Sequence, residues 1–322
     1  MTMGFGHHIK QFLRRRTILK EVARIKAMTV GQIMTKYIIT IRAEDEVIKA
    51  ATKMVAEDIS CLVVADGDKP IGIISERDFL RKVPLSKAVF TMKVKDIMTP
   101  DPVTVPPSMP LTEAVALMKS KGFRRLIVAE HGKMLGVVTQ TNFTRTLSEL
   151  FVSYPLASGL LAKDIMTTKI LTVSPKNTVA EGKQKMLKAD VGAIIIMDKD
   201  QPVGIFTEYD ILMQFYDQHG KLEMSDIGKY MRKYVRAVPP DASLFAANRL
   251  MLEKNMRRLL IVDGTKAAGI ITQTDICRYM YSAFDTVLKT AQDSKTDLKR
   301  FSLNAEIHGE FHGDHLKVYD VE

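Results

Sequence analysis

Residues 72–78 read Gly-Ile-Ile-Ser-Glu-Arg-Asp, and this stretch decides the fold because it occurs four times. The other copies are Gly-Val-Val-Thr-Gln-Thr-Asn at 136–142, Gly-Ile-Phe-Thr-Glu-Tyr-Asp at 204–210 and Gly-Ile-Ile-Thr-Gln-Thr-Asp at 269–275. Each copy ends 44 positions after the methionine of a second motif, which reads Ile-Met-Thr at 33–35, 97–99 and 165–167 and Tyr-Met-Arg at 230–232. Constant spacing indicates four copies of one supersecondary unit.

The residues between the two motifs predict the content of each unit. In the first unit, one face of a helix is marked by apolar side chains at helical spacing: Val47, Ile48, Ala51, Met54 and Val55. Two apolar runs follow, 61–65 and 71–74, and the polar turn 66–70 between them predicts a hairpin. One methionine recurs at the same helix position in every unit, and we predict that all four are core residues: Met54, Met118, Met186 and Met251.

A finer pattern alternates from unit to unit. Units 2 and 4 have Arg124-Arg125 and Arg257-Arg258 before a strand, where units 1 and 3 have Ser60-Cys61 and Gly192-Ala193. The alternation predicts that unit 1 folds with unit 2 and unit 3 with unit 4, joined by the longer seam 148–161. Pairing has a physical reason, because a unit of roughly 55 residues buries too little surface to be stable alone.

Both motifs and the elements between them resemble the cystathionine β-synthase (CBS) domain, and four copies resemble two tandem Bateman modules. The resemblance implies an α+β fold in which β-α-β-β-α units pair sheet to sheet about a pseudo-twofold axis. The γ subunit of AMP-activated protein kinase has a similar arrangement, with four units in one disc and ligand clefts between paired units. We expect a basic helical arm at 1–27, module 1 at 28–147 (units 28–83 and 92–147), module 2 at 161–281 (units 161–216 and 224–281) and a C-terminal extension at 282–322.

The Gly-x-x-[Ser/Thr]-x-x-Asp motif has two interpretations. A hydroxyl followed three residues later by an acid is a helix-capping signature, which alone explains the spacing. Free amides at a helix start also attract phosphate. The resemblance implies that the Asp binds a ribose diol and the hydroxyl lies near phosphate, which selects Ser75, Asp78, Thr139, Thr207, Asp210, Thr272 and Asp275. Asn142 departs from the pattern, and an amide lacks the charge that strengthens diol hydrogen bonds.

Arginines extend the candidate site. The pairs Arg124-Arg125 and Arg257-Arg258 match a basic pair that meets nucleotide phosphates in the kinase γ subunit, and guanidinium groups suit phosphate oxygens. We expect them to face the Ser and Thr motifs of the paired units 1 and 3; the alternative is a solvated pair at a strand start. Arg77 is a further phosphate candidate, and its counterpart in unit 3 is Tyr209.

Charge is concentrated at the N-terminus of a chain whose formal net charge is +10. Residues 1–27 contain a single acid, Glu21, and seven bases: Lys10, Arg14, Arg15, Arg16, Lys20, Arg24 and Lys26. With Ile9, Phe12, Leu13 and Leu19 they indicate a basic amphipathic helix. Three interpretations remain open: packing on module 1, binding to RNA through phosphates, or lying on anionic lipid, of which RNA is favoured over lipid. An Arg-rich start also resembles an organelle transit peptide, although four units in one chain are more typical of archaeal proteins.

Other function classes find little support in the sequence. Cys61 and Cys277 are the only cysteines, which excludes a disulfide framework, and no apolar run approaches the roughly 18 residues of a membrane span. We find no phosphate-binding loop or metalloprotease helix. His308, His312 and His315 are separated by glycines, which favours a polar tail over a metal site. Thr286 to Leu298 is polar, and 302–307 and 316–321 alternate like strands.

The sequence therefore predicts a non-enzymatic cytoplasmic regulatory protein that needs no cofactor. Its paired units are expected to bind AMP, ADP or ATP and to modulate an unidentified protein partner, and we expect a homo-oligomer with no membrane contact. The alternative is an RNA- or ribosome-associated factor of the hibernation type, which inhibits translation through the basic arm and uses the modules as a scaffold.

Overall fold

The computed structural model describes residues 23–151, 160–217, 224–233, 235–292 and 319–321. Within these ranges four repeat units follow one another, and each begins with a single helical turn. These turns are α1 (Val30–Ile33), α4 (Val94–Ile97), α7 (Ala162–Ile165) and a 3-10 turn (Ile227–Lys229).

Each turn is followed by a short strand, a helix, a hairpin and a closing helix. Unit 1 contains β1 (Thr40–Ile41), α2 (Val47–Ala56), β2 (Cys61–Asp66), β3 (Lys69–Ser75) and α3 (Glu76–Lys82). Unit 2 contains β5 (Thr104–Val105), α5 (Leu111–Lys121), β6 (Arg125–Glu130), β7 (Lys133–Thr139) and α6 (Gln140–Phe151). Unit 3 contains β8 (Thr172–Val173), α8 (Val179–Ala189), β9 (Ala193–Asp198), β10 (Gln201–Thr207) and α9 (Glu208–Asp217). Unit 4 contains β11 (Val235–Val238), α10 (Leu244–Glu253), β12 (Arg258–Asp263), β13 (Lys266–Thr272) and α11 (Gln273–Gln292).

The same sheet recurs in all four units. The two long strands of each hairpin are antiparallel, and the short first strand pairs parallel to the middle one. In unit 1 the hairpin turn contains Gly67 at φ +58°, a left-handed conformation that suits glycine. The predicted β-α-β-β-α unit is confirmed.

The units exchange strands in pairs through four lead-in segments, which are Met34-Thr35, Met98-Thr99, Met166-Thr167 and Met231-Arg232. Thr35 of unit 1 pairs with Val137 of unit 2, while β4 (Thr99–Pro100), which leads into unit 2, joins the edge of β3 in unit 1. The second module repeats the exchange, with Thr167 against Ile270 and Arg232 against Ile205. The predicted pairing of units 1 with 2 and 3 with 4 is confirmed.

The glycine of each hairpin motif leaves room for the methionine of a lead-in segment. A Cβ atom added to Gly136 would lie 2.7 Å from Sδ of Met34 and 2.8 Å from the carbonyl oxygen of Thr35. Gly72 meets Met98 and Gly269 meets Met166 in the same way. The two recurring motifs thus form one contact, in which the lead-in methionine of a unit lies on the bare backbone of its partner's hairpin.

We expect Gly136→Ala to lower the free energy of unfolding by about 1–3 kcal/mol, because the methyl group overpacks a contact bounded by backbone. Urea denaturation of the full chain measures this. The control is Gly67→Asn, whose site has no atom within 4 Å of an added Cβ and whose positive φ asparagine tolerates. Equal losses in the two variants would contradict the role of the methionine contact.

The two modules pack through their helices. One core cluster joins unit 1 to unit 3, where the rings of Phe79 and Phe215 lie 5.9 Å apart. A second joins unit 2 to unit 4 and includes Phe143 and Ile276. The recurring methionines are buried as predicted: Met54, Met118, Met186 and Met251.

The described residues near both ends of the chain contact the modules. Residues 23–27 are helical, and Ile25 is buried in the cluster of units 2 and 4 while Arg24 and Lys26 face outward. Helix α11 continues through Gln292, beyond the boundary drawn at 281, and β14 (Tyr319–Val321) adds an antiparallel strand to β11. The other basic candidates of the arm, the strand predicted at 302–307 and the tail histidines lie outside the described residues.

Candidate functional site

The four Gly-x-x-[Ser/Thr]-x-x-[Asp/Asn] motifs lie where a hairpin ends and a helix begins. In each, the hydroxyl donates to the side chain three residues later. The oxygen–oxygen distances are 2.7 Å for Ser75 with Asp78, 2.7 Å for Thr139 with Asn142, 2.6 Å for Thr207 with Asp210 and 2.6 Å for Thr272 with Asp275. The backbone amide of the hydroxyl residue donates to the same oxygen in all four. The capping interpretation therefore accounts for one carboxylate oxygen of each Asp.

The second carboxylate oxygen differs between units. Oδ1 of Asp78 lies 3.1 Å from Nζ of Lys82, and Oδ1 of Asp210 lies 2.9 Å from Nε of Arg232. Among the described residues, Asp275 has no donor on its Oδ1, although the residue is only partly exposed. Unit 4 thus presents the carboxylate most available to a ligand.

Arginines and glutamates from all four units converge between the modules. Arg257 of unit 4 donates to both carboxylate oxygens of Glu76 in unit 1, each at 2.7 Å. The equivalent pair joins Arg124 of unit 2 to Glu208 of unit 3 at 3.3 Å, and Nε of Arg77 lies 3.2 Å from the same glutamate. The side chains of Glu76 and Glu208 are 3% and 0% exposed, so these ion pairs are buried on the acidic side.

The first arginine of each basic pair therefore does not face the motif of its own module. The backbone explains the difference: the carbonyl of Arg124 accepts from the amide of Gln140, and that of Arg257 accepts from Gln273. These bonds place the arginines beside the helix starts of units 2 and 4, from which their side chains cross to the glutamates of the other module. The expectation that they face units 1 and 3 within one module was wrong for this position.

The second arginine of each pair stays within its module. Arg258 donates to the carbonyl of Gly192 in unit 3. Arg125 lies beside the Cys61 thiol of unit 1, and its buried Nη1 has no hydrogen-bond partner within the described ranges. A buried guanidinium nitrogen without an acceptor favours the approach of an anion.

The charges of this region, which we call the arginine cluster, do not balance. It contains five guanidinium groups and two buried carboxylates: Arg77, Arg124, Arg125, Arg257, Arg258, Glu76 and Glu208. The exposed carboxylate of Asp190 lies 3.5 Å from Arg77 at the edge of this region, but it also pairs with a further guanidinium group, that of Arg81, at 2.5 Å, so the excess of positive charge remains. Burial and the charge of Arg257 lower the pKa of Arg258 to about 10. Burial alone would raise the pKa of Glu208, but the surrounding arginines, Arg124 foremost, hold it below its usual value. Near neutral pH the arginine cluster carries a net positive charge.

Neutral side chains join the modules on the side of units 2 and 4. Thr141 donates to Gln273 at 2.9 Å, and the symmetry-equivalent Thr274 donates to Gln140 at 2.8 Å. These residues were not among the predicted site residues, and neither were Glu76 and Glu208. The signal was present, because units 1 and 3 have Glu after the motif hydroxyl where units 2 and 4 have Gln.

The part of the chain that the structure describes offers little to other kinds of site. None of its helices combines the length and apolar character that crossing a bilayer requires. Within those same residues, no three His, Cys, Asp or Glu side chains are grouped so that they could hold a metal ion. Cys61 and Cys277 are free thiols, and burial raises the pKa of Cys277 to about 12.

The paired units, exchanged lead-in segments and motif side chains define a protein built from two tandem modules, each made of two repeat units. The CBS domain family matches at residues 30–85, 94–149, 162–217 and 225–282, more than half of the chain, and the chain belongs to that family.

Several known proteins are similar to this chain. An uncharacterised Methanocaldococcus jannaschii protein is 27% identical over 273 residues, which cover 78% of this chain and 61% of that relative. A CBS domain-containing protein of Bacillus subtilis is 33% identical over 114 residues, covering 35% of this chain and 81% of the relative. The crystal structure of another M. jannaschii protein, described as a proposed archaeal homologue of γ-AMPK, superposes with a TM-score of 0.70 at 18% identity, covering 78% of this chain and 99% of that one.

Proposed function

We propose that this chain is a non-enzymatic regulatory protein that binds adenine nucleotides in the clefts of its modules and transmits their occupancy to a protein partner. The observation that carries the proposal is the arginine cluster, where five guanidinium groups face two buried carboxylates and Nη1 of Arg125 has no acceptor among the described residues. Nucleotide phosphates supply the missing negative charge.

Loose pairing in the arginine cluster supports exchange with a ligand. Nε of Arg77 and Oε1 of Glu208 lie 3.2 Å apart, yet neither atom has an aligned hydrogen bond in the described structure. A phosphate oxygen can offer these donors better geometry than the glutamate does. Because Glu208 belongs to unit 3 and its arginines to units 1 and 2, such an exchange changes the contact between modules.

The ribose is proposed to bind unit 4. Thr272 ends β13 and Asp275 lies in the first turn of α11, where Oδ1 of Asp275 is open in the described structure. The lead-in residue Thr167 pairs with Ile270 two positions before Thr272, so this cleft is built by both units of module 2. A carboxylate that keeps its cap on one oxygen can accept a ribose hydroxyl on the other.

Calorimetric titration of the full chain with AMP, ADP and ATP tests the proposal. We expect saturable binding of at least one nucleotide, and binding of adenosine at least tenfold weaker because it brings no phosphate to the arginine cluster. Raising the salt concentration should weaken the binding of the nucleotide and leave the binding of adenosine nearly unchanged. Failure of all three nucleotides to saturate the protein would overturn the proposal. The alternative role on RNA or the ribosome depends mainly on residues outside the described ranges and stays a prediction.

A further inference from the structure

Arg232 occupies a position where the other three units have a threonine. The lead-in segments of units 1 to 3 contain Thr35, Thr99 and Thr167, and unit 4 has arginine instead. Two backbone hydrogen bonds hold Arg232 against Ile205, with nitrogen–oxygen distances of 2.9 and 3.0 Å. Since Ile205 precedes Thr207 by two residues on β10, the substitution falls beside the motif of unit 3.

The side chain of Arg232 completes the coordination of Asp210. Its Nε donates to Oδ1 at 2.9 Å, and its guanidinium lies 5.0 Å from the ring centre of Tyr209. The other oxygen of Asp210 already accepts from the amide of Thr207 at 2.7 Å and from its hydroxyl at 2.6 Å. Both oxygens of this carboxylate, whose side chain is 7% exposed, therefore have donors from the protein.

We propose that Arg232 closes the cleft of unit 3 to a ribose diol, so that this chain binds adenine nucleotide elsewhere in its modules. A diol would have to displace the charge-assisted hydrogen bond between Arg232 and Asp210. The guanidinium, which also lies over the ring of Tyr209, would then have no acceptor. The inference rests on the proposed function and specifies which cleft does not serve it.

Unit 1 shows that a cation near the carboxylate is not by itself a block. Lys82 contacts Asp78 at 3.1 Å, but its Nζ also donates to the carbonyls of Ile97 at 2.7 Å and Met98 at 3.3 Å. Lys82 keeps these two acceptors when a ligand takes the carboxylate. For the side chain of Arg232, the single hydrogen-bond acceptor in the described structure is Asp210 itself.

The test replaces Arg232 by the residue that the other units have. We expect Arg232→Thr to add one AMP site per chain in calorimetric titration of the full protein, and the double variant R232T/D210N to lose that added site. Lys233→Thr removes the same charge from the neighbouring exposed position and should leave the stoichiometry at the wild-type value. Asp210→Asn alone should change the wild-type AMP affinity by less than about twofold.

Each outcome separates this inference from the proposed function. If the wild type binds AMP and R232T binds the same number of molecules, the inference about Arg232 is overturned and the proposed function stands. A loss of wild-type affinity in D210N would also overturn it, because the cleft would then already be in use. If the wild type binds none of AMP, ADP and ATP, the proposed function fails, and if R232T also binds none of them, the inference about Arg232 fails with it.

Discussion

Asp275→Asn is expected to weaken AMP binding about 10- to 100-fold, the cost of removing the charge from one or two hydrogen bonds to a ribose. The substitution keeps the cap, because Asn142 makes the same pair of contacts in unit 2, at 2.9 Å from the amide and 2.7 Å from the hydroxyl of Thr139. Calorimetry of the full chain gives the affinity. An unchanged urea midpoint shows that the helix start is intact.

Unchanged AMP affinity in D275N would exclude Asp275 as the ribose ligand. The reciprocal variant, Asn142→Asp, provides a matched comparison because it gives unit 2 the charge that unit 4 has naturally. We expect it to bind AMP no more weakly than the wild type. A drop in affinity on adding this carboxylate would show that charge at the motif repels the ligand, contrary to the proposal.

Glu208→Gln is expected to lower the free energy of unfolding by about 3 kcal/mol, since it leaves the guanidinium groups of Arg124 and Arg77 without their buried counter-charge. Glu208 is fully buried and lies 3.3 and 3.2 Å from these two side chains. The control is Glu44→Gln. The side chain of Glu44 is 71% exposed and pairs with Lys95 at the surface, so this substitution should leave the free energy of unfolding nearly unchanged.

The same variant tests whether a nucleotide phosphate and the carboxylate of Glu208 compete for the guanidinium groups of the arginine cluster. Without the carboxylate, the arginine cluster gains one unit of uncompensated positive charge, so AMP should bind E208Q about tenfold more tightly and restore part of its lost stability. Thermal unfolding with and without AMP measures the rescue. Weaker binding in E208Q would contradict the competition and indicate that Glu208 helps to form the site.

The repeat made most of the fold predictable. Hairpins, helices and buried methionines follow from local periodicity, and the alternation of the basic pairs was enough to pair the units. The contacts between modules were not predictable, because no local pattern states that α3 packs on α9 or that Arg257 reaches Glu76. The packing of separate modules depends on the shape of whole helical faces.

Within the site, residues near each other in sequence could have been found and distant ones could not. Lys82 follows Asp78 by four positions on a helix, a spacing at which opposite charges meet, so this contact was available from the sequence. Arg232 was visible as a departure from the motif, but the partner of its side chain follows only from the register that pairs it with Ile205.

The exchange of lead-in segments sets the order in which strand pairs can form during synthesis of the chain. The hairpin of unit 1 lacks its edge strand until Thr99 and Pro100 have been synthesised, and Met34 has no glycine to rest on until Gly136 has followed. A nascent chain that ends within unit 2 therefore exposes two unfinished sheets. The smallest piece that can leave the ribosome with its strand pairing complete is a whole module.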